Sequence, residues 1–416
     1  MLAKVFNSIM VRSFQSGSFL LSLIEYWCSP YGLRGTSEKR LRLRRRSEVG
    51  ITQASEESRI CVFVLYSRYL TVSTRCAIDF WDSLGFRVMI VNNQPMDAGD
   101  LDELSSRVWC VFERVNMGQD IGAYKDAVLW LAKSKNLDRC MALALTNDSL
   151  QFIPGQNART LAMRIEDFMQ TSKQEALFSH LSYQFCRHYQ SFFQILKPSV
   201  FLSRPFQDFW LSYQPINNRL HCILKGELEL SRSVYNHLRH VQVLYSTEAL
   251  CDHIRQSLLN QHPPTGDALL RLMPSTYRTE ILRVDNPALS TLLQSRHECR
   301  PLYSSEVYCV ADLIENNNPS HVAAFLYPFY LGCPYVKKDL CFAGSFTLAQ
   351  ATNLYHDAVA KSLELSQLSQ EFSTLVSEYA EVLQQKGIPL GFKNTRFSAM
   401  KKGLKGGFFY SSTTIV

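Results

Sequence analysis

Apolar and polar positions change period several times along this chain, and each change marks a part of it. From Ile60 a continuous apolar run, I-C-V-F-V-L-Y, has the length of a strand. Residues 71–84 follow as a helix, and after Gly85 a second apolar run, F-R-V-M-I-V, ends at Asn92 and Asn93. Residues 108–112 predict a third short strand, 123–137 a helix and 141–146 a fourth strand. Strands alternating with helices of these lengths predict an α/β fold with a mostly parallel sheet of the nucleotide-binding type.

Beyond Ser149 the pattern is looser. Pro154 and Gly155 lead into a helix over 158–170, and an aromatic-rich segment, 178–209, contains H-Y-Q-S-F-F from His188. Residues 223–232 read I-L-K-G-E-L-E-L-S-R, with Glu227 near the start of a helix. Helical sequence resumes near Ser246 and is broken at Pro263-Pro264. The turn-forming cluster N-N-N-P-S-H precedes an aromatic helix and P-Y-V-K-K-D-L. Leu363, Leu365, Leu368, Phe372, Leu375, Tyr379 and Leu383 then fall at mostly three- and four-residue spacing, which predicts one long amphipathic helix over 347–386, a partner for a helical pair.

The two ends differ from the rest. Near the start, Phe6, Ile9, Met10, Phe14, Phe19, Leu20, Leu23 and Ile24 approach helical spacing and are followed by K-R-L-R-L-R-R-R from Lys39. Such a segment can lie on an anionic membrane surface, or be a solvated extension. Residues 393–416, with Lys401, Lys402 and Lys405, read as a loosely ordered basic tail.

Composition narrows the class. A chain of 416 residues, 46% hydrophobic and 12% aromatic, can bury a sizeable core in two or three domains. The net charge of +7 is modest and concentrated toward the ends, which argues against a nucleic-acid binder. Twelve cysteines without C-x-x-C pairs point to reduced thiols of a cytosolic protein rather than a zinc ribbon or a disulfide framework. Without an uninterrupted apolar run of about 18 residues, no spanning helix is predicted.

The chemistry gathers in 114–149. Two polar clusters, R-V-N-M-G-Q-D-I-G-A-Y-K and N-D-S, are separated by one helix and one strand, so they meet at the carboxyl edge of a parallel sheet, where open α/β proteins bind ligands. Gly118 and Gly122 permit close backbone approach, while Asn116, Asp120 and Lys125 supply groups that could read a base, ribose or diphosphate. Asn147, Asp148 and Ser149 end a strand, and Asp148 can hold a hard divalent cation that keeps several waters and bridges to phosphates. The plainer reading of N-D-S is an Asx turn. His188, Gln190 and Ser191 invite a hydrolase reading, but no G-x-S-x-G elbow exists, which leaves acceptor positioning or packing. Glu227 and Glu229 are candidate general bases, or a solvated face.

Taken in order, these residues resemble the rhamnan synthesis protein F family of bacterial surface-polysaccharide glycosyltransferases. The resemblance rests on V-N-N at Val91, R-V-N-M-G-Q-D-I-G-A-Y-K at Arg114, N-D-S at Asn147, H-Y-Q-S-F-F at His188, E-L-E-L-S at Glu227, N-P-S-H at Asn318 and P-Y-V-K at Pro334. It implies a Rossmann-like, glycosyltransferase-A-type mostly parallel sheet with a helical C-terminal region. The division it suggests is a basic N-terminal extension (1–56), a nucleotide-sugar-binding domain (57–250), a family-specific helical region (251–345), and a long helix with a basic tail (346–416).

It also implies a nucleotide-sugar donor, dTDP-rhamnose by analogy, lying across Asn92, Arg114, Asn116 and Asp120, with a magnesium or manganese ion at Asp148. Glu227 matches the family's glutamate and is the expected base, with Asp120 the alternative. The acceptor would be a polysaccharide or lipid-linked glycan met at the inner face of the cytoplasmic membrane. Two departures stand out: N-D-S carries one carboxylate where the common motif has two, and E-A-L-F from Glu175 replaces the family's D-F-W-G. The competing reading is a non-catalytic nucleotide-sugar-binding or scaffold subunit of a polysaccharide assembly.

Overall fold

A strand that is apolar on both sides needs cover on both faces of its sheet, and this chain provides it. The computed structural model describes residues 17, 19–27, 42–46, 58–259, 267–274, 277, 305–342, 345–363 and 370–386. Its strands are β1 (Arg42–Arg46), β2 (Ser58–Leu65), β3 (Phe86–Asn92), β4 (Cys110–Glu113), β5 (Cys140–Asn147), β6 (Leu150–Phe152), β7 (Ala176–Phe178), β8 (Leu181–Ser182), β9 (His188–Tyr189), β10 (Phe193–Leu196), β11 (Val241–Val243) and β12 (Tyr335–Lys337).

Among the described residues, eight of these form one sheet in the order β1-β4-β3-β2-β5-β10-β7-β11. β4, β3, β2 and β5 run parallel, while β10 lies antiparallel between β5 and β7. β11 is parallel to β7, and β1 edges the sheet antiparallel to β4. The fold is therefore α/β with a mostly parallel, Rossmann-like sheet, as the alternation of elements predicts.

Side chains alternate across the sheet with the period of two that a strand imposes. Cys61, Phe63 and Leu65 of β2 face a core shared with Trp81, Phe193 and the C-terminal helices. Ile60, Val62 and Val64 face the other, shared with Tyr124, Ala127, Leu131 and Trp210. The helix Val72–Ser83 is capped by Thr71, whose side chain accepts from Thr74 N at 3.2 Å. A further helix, Ala98–Arg107, buries only Leu104 completely, too little apolar surface to leave a periodic signal.

The C-terminal region departs from the single long helix that its spacing predicts. Two helices, Leu348–Ser362 and Gln370–Lys386, pack on each other with the rings of Tyr355 and Tyr379 at 4.5 Å. Both tyrosines also tie the pair to the sheet region: Tyr355 donates to Phe152 O at 2.6 Å and Tyr379 to Lys337 O at 2.9 Å. Glu378 accepts from Val72 N and Ser73 N at the start of a helix, where a carboxylate complements the exposed N–H groups.

Part of the N-terminal basic run adds to the sheet as β1, and residues 19–27 form a helix that docks through Ser22, donating to Asn217 O at 3.2 Å, and through Tyr26 against Met117 and Ile216. The tail over 393–416 and the Pro263-Pro264 break lie outside the described residues.

What positions the site is the turn after β4. Arg114, with a fully buried guanidinium, reaches Asp126 Oδ2 at 3.0 Å, Asn93 Oδ1 at 2.6 Å and Met117 O at 2.7 Å. One side chain thus joins the end of β3, the loop and the next helix. Gly118 closes that loop at φ +71°, where an added Cβ would lie 2.6 Å from Pro215 Cβ. The helix then starts at Gln119, four residues before the apolar pattern shows it.

Replacing Arg114 by Met strips Asp126 of its guanidinium partner, and the expected loss of stability is about 3–5 kcal/mol. Urea unfolding followed by circular dichroism measures it. A loss below about 1 kcal/mol, the level of an exposed ion pair, contradicts the role given to this side chain.

Candidate functional site

Because β4, β3, β2 and β5 are parallel, their carboxyl ends share one edge. The strand order reverses between β2 and β5, and ligands of open α/β sheets bind outside such a reversal. β10 is antiparallel to β5, with Phe193 opposite Thr146, so the segment from His188 to Phe192 enters at the same edge. β12 pairs with β6 and sets Lys337 opposite Leu150, next to the N-D-S turn. These elements enclose a cavity of about 230 Å³.

The N-D-S turn joins both predicted polar clusters. Asn147 Nδ2 donates to Asp120 Oδ2 at 2.9 Å, while Asn147 Oδ1 accepts from Ser149 N at 3.1 Å and Ser149 Oγ at 2.5 Å. The Asx turn of the plainer reading is therefore present, and it also anchors Asp120. Asp148 N donates to Val64 O at 2.9 Å, and Asp148 Oδ2 accepts from Tyr66 N at 2.9 Å, which fixes the carboxylate across the switch point. Burial, and next the charge of Asp148, push the Asp120 carboxyl up to about 6.

Glu227 lines the same cavity, inside a π-helix, Cys222–Leu228, rather than at the start of an α-helix. Gly226 lets this turn approach Ile121, since a Cβ there would meet Ile121 Cγ2 at 2.8 Å. Glu227 Oε1 accepts from Ser191 N at 3.1 Å and lies 3.9 Å from His188 Nε2. Gln190 donates to Asn318 Oδ1 at 2.8 Å, and its own Oε1 is buried without a partner. Asn116 Oδ1 and Gln119 Nε2, also in the lining, are unpartnered too. Unsatisfied donors and acceptors around a cavity suit a ligand rich in hydroxyl and amide groups.

Several expected residues stand elsewhere. Asn92 is fully buried and bonded to Ser67 through both its amide oxygen, at 3.2 Å, and its nitrogen, at 2.7 Å. Arg114 is spent on the loop, and Lys125 donates to the carbonyls of Leu211 and Tyr213. None of the three lines the cavity, nor does Gly118. Their hydrogen bonds shape the wall from behind. The cavity does bring together Asn116, Asp120, Asn147, Asp148, Ser149, His188, Gln190, Ser191 and Glu227.

Sequence reasoning gave no role to Arg219, His321, Lys337 or Asp339, which also line it. His321 and Lys337 lie within quoted motifs, the one available signal. Asp339 Oδ1 is 2.9 Å from His321 Nε2, and Oδ2 is 3.4 Å from Arg219. Burial alone would raise the Asp339 carboxyl, but His321, Arg219 and Lys337 outweigh it and hold the group well below the usual carboxylate range.

The single carboxylate of N-D-S is not alone in space, because Asp120 lies near enough to feel its charge. Two carboxylates can supply part of the shell of a magnesium or manganese ion, the rest coming from phosphates and water. Among the described residues, no group of three His, Cys, Asp or Glu is arranged to hold a metal.

Residues 88–265 match the family model described as Rhamnan synthesis protein F. No curated protein matches the chain. Five of the seven ordered motifs, from Val91 to Glu227, fall inside that match, while N-P-S-H and P-Y-V-K lie beyond it. Motif order and this match agree that the segment 88–265 is similar to the rhamnan synthesis protein F family.

Proposed function

We propose that the chain is a glycosyltransferase that moves a sugar, rhamnose or a related deoxysugar, from a nucleotide-sugar donor to a growing polysaccharide or lipid-linked glycan. The observation that carries this reading is the convergence of Asp120, Asp148 and Glu227 on one cavity at the switch point of a mostly parallel sheet. The family's name supports the choice of rhamnan, and dTDP-rhamnose is the corresponding donor.

The donor lies against the Asp120 and Asp148 wall, with Asn116 and Gln119 offering an acceptor and a donor to its polar groups. The acceptor hydroxyl enters on the side of Glu227, Gln190 and Ser191. Glu227 takes the hydroxyl proton as the oxygen attacks the anomeric carbon. The new glycosidic bond forms while the bond from that carbon to the diphosphate oxygen breaks, and the nucleoside diphosphate leaves. Ser191 N and His188 orient the carboxylate for this step. A bound divalent ion would add charge stabilisation at the diphosphate.

The acceptor side opens beside an apolar surface. The helix over 19–27 exposes Phe19, Leu20, Leu21, Ile24 and Trp27, and Phe19 stacks on His221 with ring centroids 6.0 Å apart, next to the cavity-lining Arg219 and Cys222. The basic strand R-L-R-R-R pairs Arg42 with Glu113, at the same end of the sheet. An exposed apolar helix face, in a chain whose sequence carries a basic run over 39–46, suits the surface of an anionic bilayer, where a lipid-linked acceptor is presented. Among the described residues no helix is long and apolar enough to cross a membrane, and the contact proposed here is a peripheral one.

Changing Glu227 to Gln keeps the size of the side chain and removes the base. Turnover is expected to fall about 10²–10⁴-fold with donor affinity within a few-fold of the parent. Steady-state kinetics beside calorimetric titration of the donor check both, and unchanged turnover removes Glu227 from this role. A second measurement addresses the bilayer. The intact chain is expected to sediment with vesicles containing anionic phospholipid more than with neutral ones, and the double variant Ile24→Glu, Trp27→Glu to lose that binding. Equal sedimentation of parent and variant contradicts the docking surface.

A further inference from the structure

Lys337 lies outside the family-matched segment, on a strand that reaches the cavity only through the C-terminal half of the chain. Its pairing opposite Leu150 sets it beside the N-D-S turn, and Nζ donates to Ser149 Oγ at 2.9 Å. The ammonium also sits 3.8 Å from the centre of the Phe192 ring. Both neighbours are neutral.

Lys337 is half-buried, and a charge partly withdrawn from water is ordinarily paired with a carboxylate. Here, among the described residues, the carboxylates of the cavity are engaged elsewhere. Asp339 is held by His321 and Arg219, Glu227 by Ser191 N, Asp120 by Asn147, and Asp148 by Tyr66 N. Burial pulls Lys337 down to about 8 against the opposing charges of Asp339, Glu227 and Asp120, so the group is cationic at neutral pH and only partly compensated, with no carboxylate bonded to it. A bound anion would supply the missing countercharge.

Resting on the glycosyl-transfer reading, we infer that Lys337 is the cationic contact for the diphosphate of the nucleotide donor, and hence for the diphosphate as it leaves. The location fits the chemistry. Lys337 is bonded to Ser149, the residue after Asp148, and lines the same cavity, at the edge where the donor's phosphates lie. As the bond to the anomeric carbon breaks, negative charge grows on the diphosphate oxygen, and an ammonium fixed in a half-buried wall stabilises it more than it would in bulk solvent. The segment 318–339 then contributes a working part of the site rather than a cover, with His321 and Arg219 bonded to Asp339 so that it compensates the lysine only in part.

Calorimetric titration of the full chain with dTDP, UDP, thymidine and inorganic diphosphate tests this. The parent is expected to bind a nucleoside diphosphate more tightly than the nucleoside. Lys337→Gln should weaken that binding about tenfold or more without changing nucleoside affinity, and Lys337→Arg should restore part of it. Labelling of the unmutated chain with an amine-reactive reagent gives a readout independent of folding of the variants, since the nucleoside diphosphate should protect Lys337. A parent that binds no nucleoside diphosphate overturns both the donor reading and this contact. A parent that binds one, with a folded Lys337→Gln chain of equal affinity or with Lys337 labelled equally in its presence, overturns the contact alone. Equal effects of the variant on inorganic diphosphate and nucleoside diphosphate identify the phosphates as what is recognised, whereas binding of inorganic diphosphate that the variant leaves intact overturns the contact.

Discussion

The buried ion pair between Arg114 and Asp126 is the constraint on which the site depends. It joins the end of one strand, the loop behind the cavity and the following helix in a single fully buried cluster, and Asn93 and the Met117 carbonyl complete it. With that loop fixed, the helix that begins at Gln119 carries Asp120 to Asn147. A buried pair of this kind adds little net stability over an apolar packing of the same volume, but it penalises any arrangement that separates its members. Here its consequence is placement of a carboxylate at a sheet edge.

Around that edge the cavity divides by charge. Asp120 and Asp148 stand together, each held by a hydrogen bond from a neighbour, and burial, with their proximity second, raises Asp120. Lys337, Arg219 and His321 come from other segments, and Asp339 is stabilised as an anion among them. Glu227 is oriented separately, by the backbone of Ser191. A nucleotide sugar presents a diphosphate, a ring of hydroxyls and an electrophilic carbon, and these three environments suit those three parts.

Much of the fold was legible because apolar runs bounded by glycine and asparagine leave few alternatives: the first four parallel strands and the helices between β2 and β3 and between β4 and β5 follow the pattern to within a few residues. The start of the helix at Gln119 was not, since its first turn is polar and its entry depends on a left-handed glycine. The break between Leu348–Ser362 and Gln370–Lys386 was hidden because leucines continue the helical spacing past Ser362. In the site, residue type indicated chemistry but not direction. Asn92, Arg114 and Lys125 belong to the right motifs yet turn toward backbone groups and a buried aspartate, whereas Asp120, Asp148 and Glu227 face the cavity. Lys337 and Asp339, brought in by β12 from almost 190 residues beyond Ser149, carried no local signal of where they would land.

The most direct test of glycosyl transfer is to incubate the purified full chain with a panel of nucleotide-sugars, with and without a lipid-linked or polysaccharide acceptor, and to follow the products by mass spectrometry. Release of a nucleoside diphosphate from one donor, with its sugar appearing on the acceptor, is the expected result. Binding of a donor with neither transfer nor hydrolysis across the whole panel would contradict a transferase and favour a nucleotide-sugar-binding subunit.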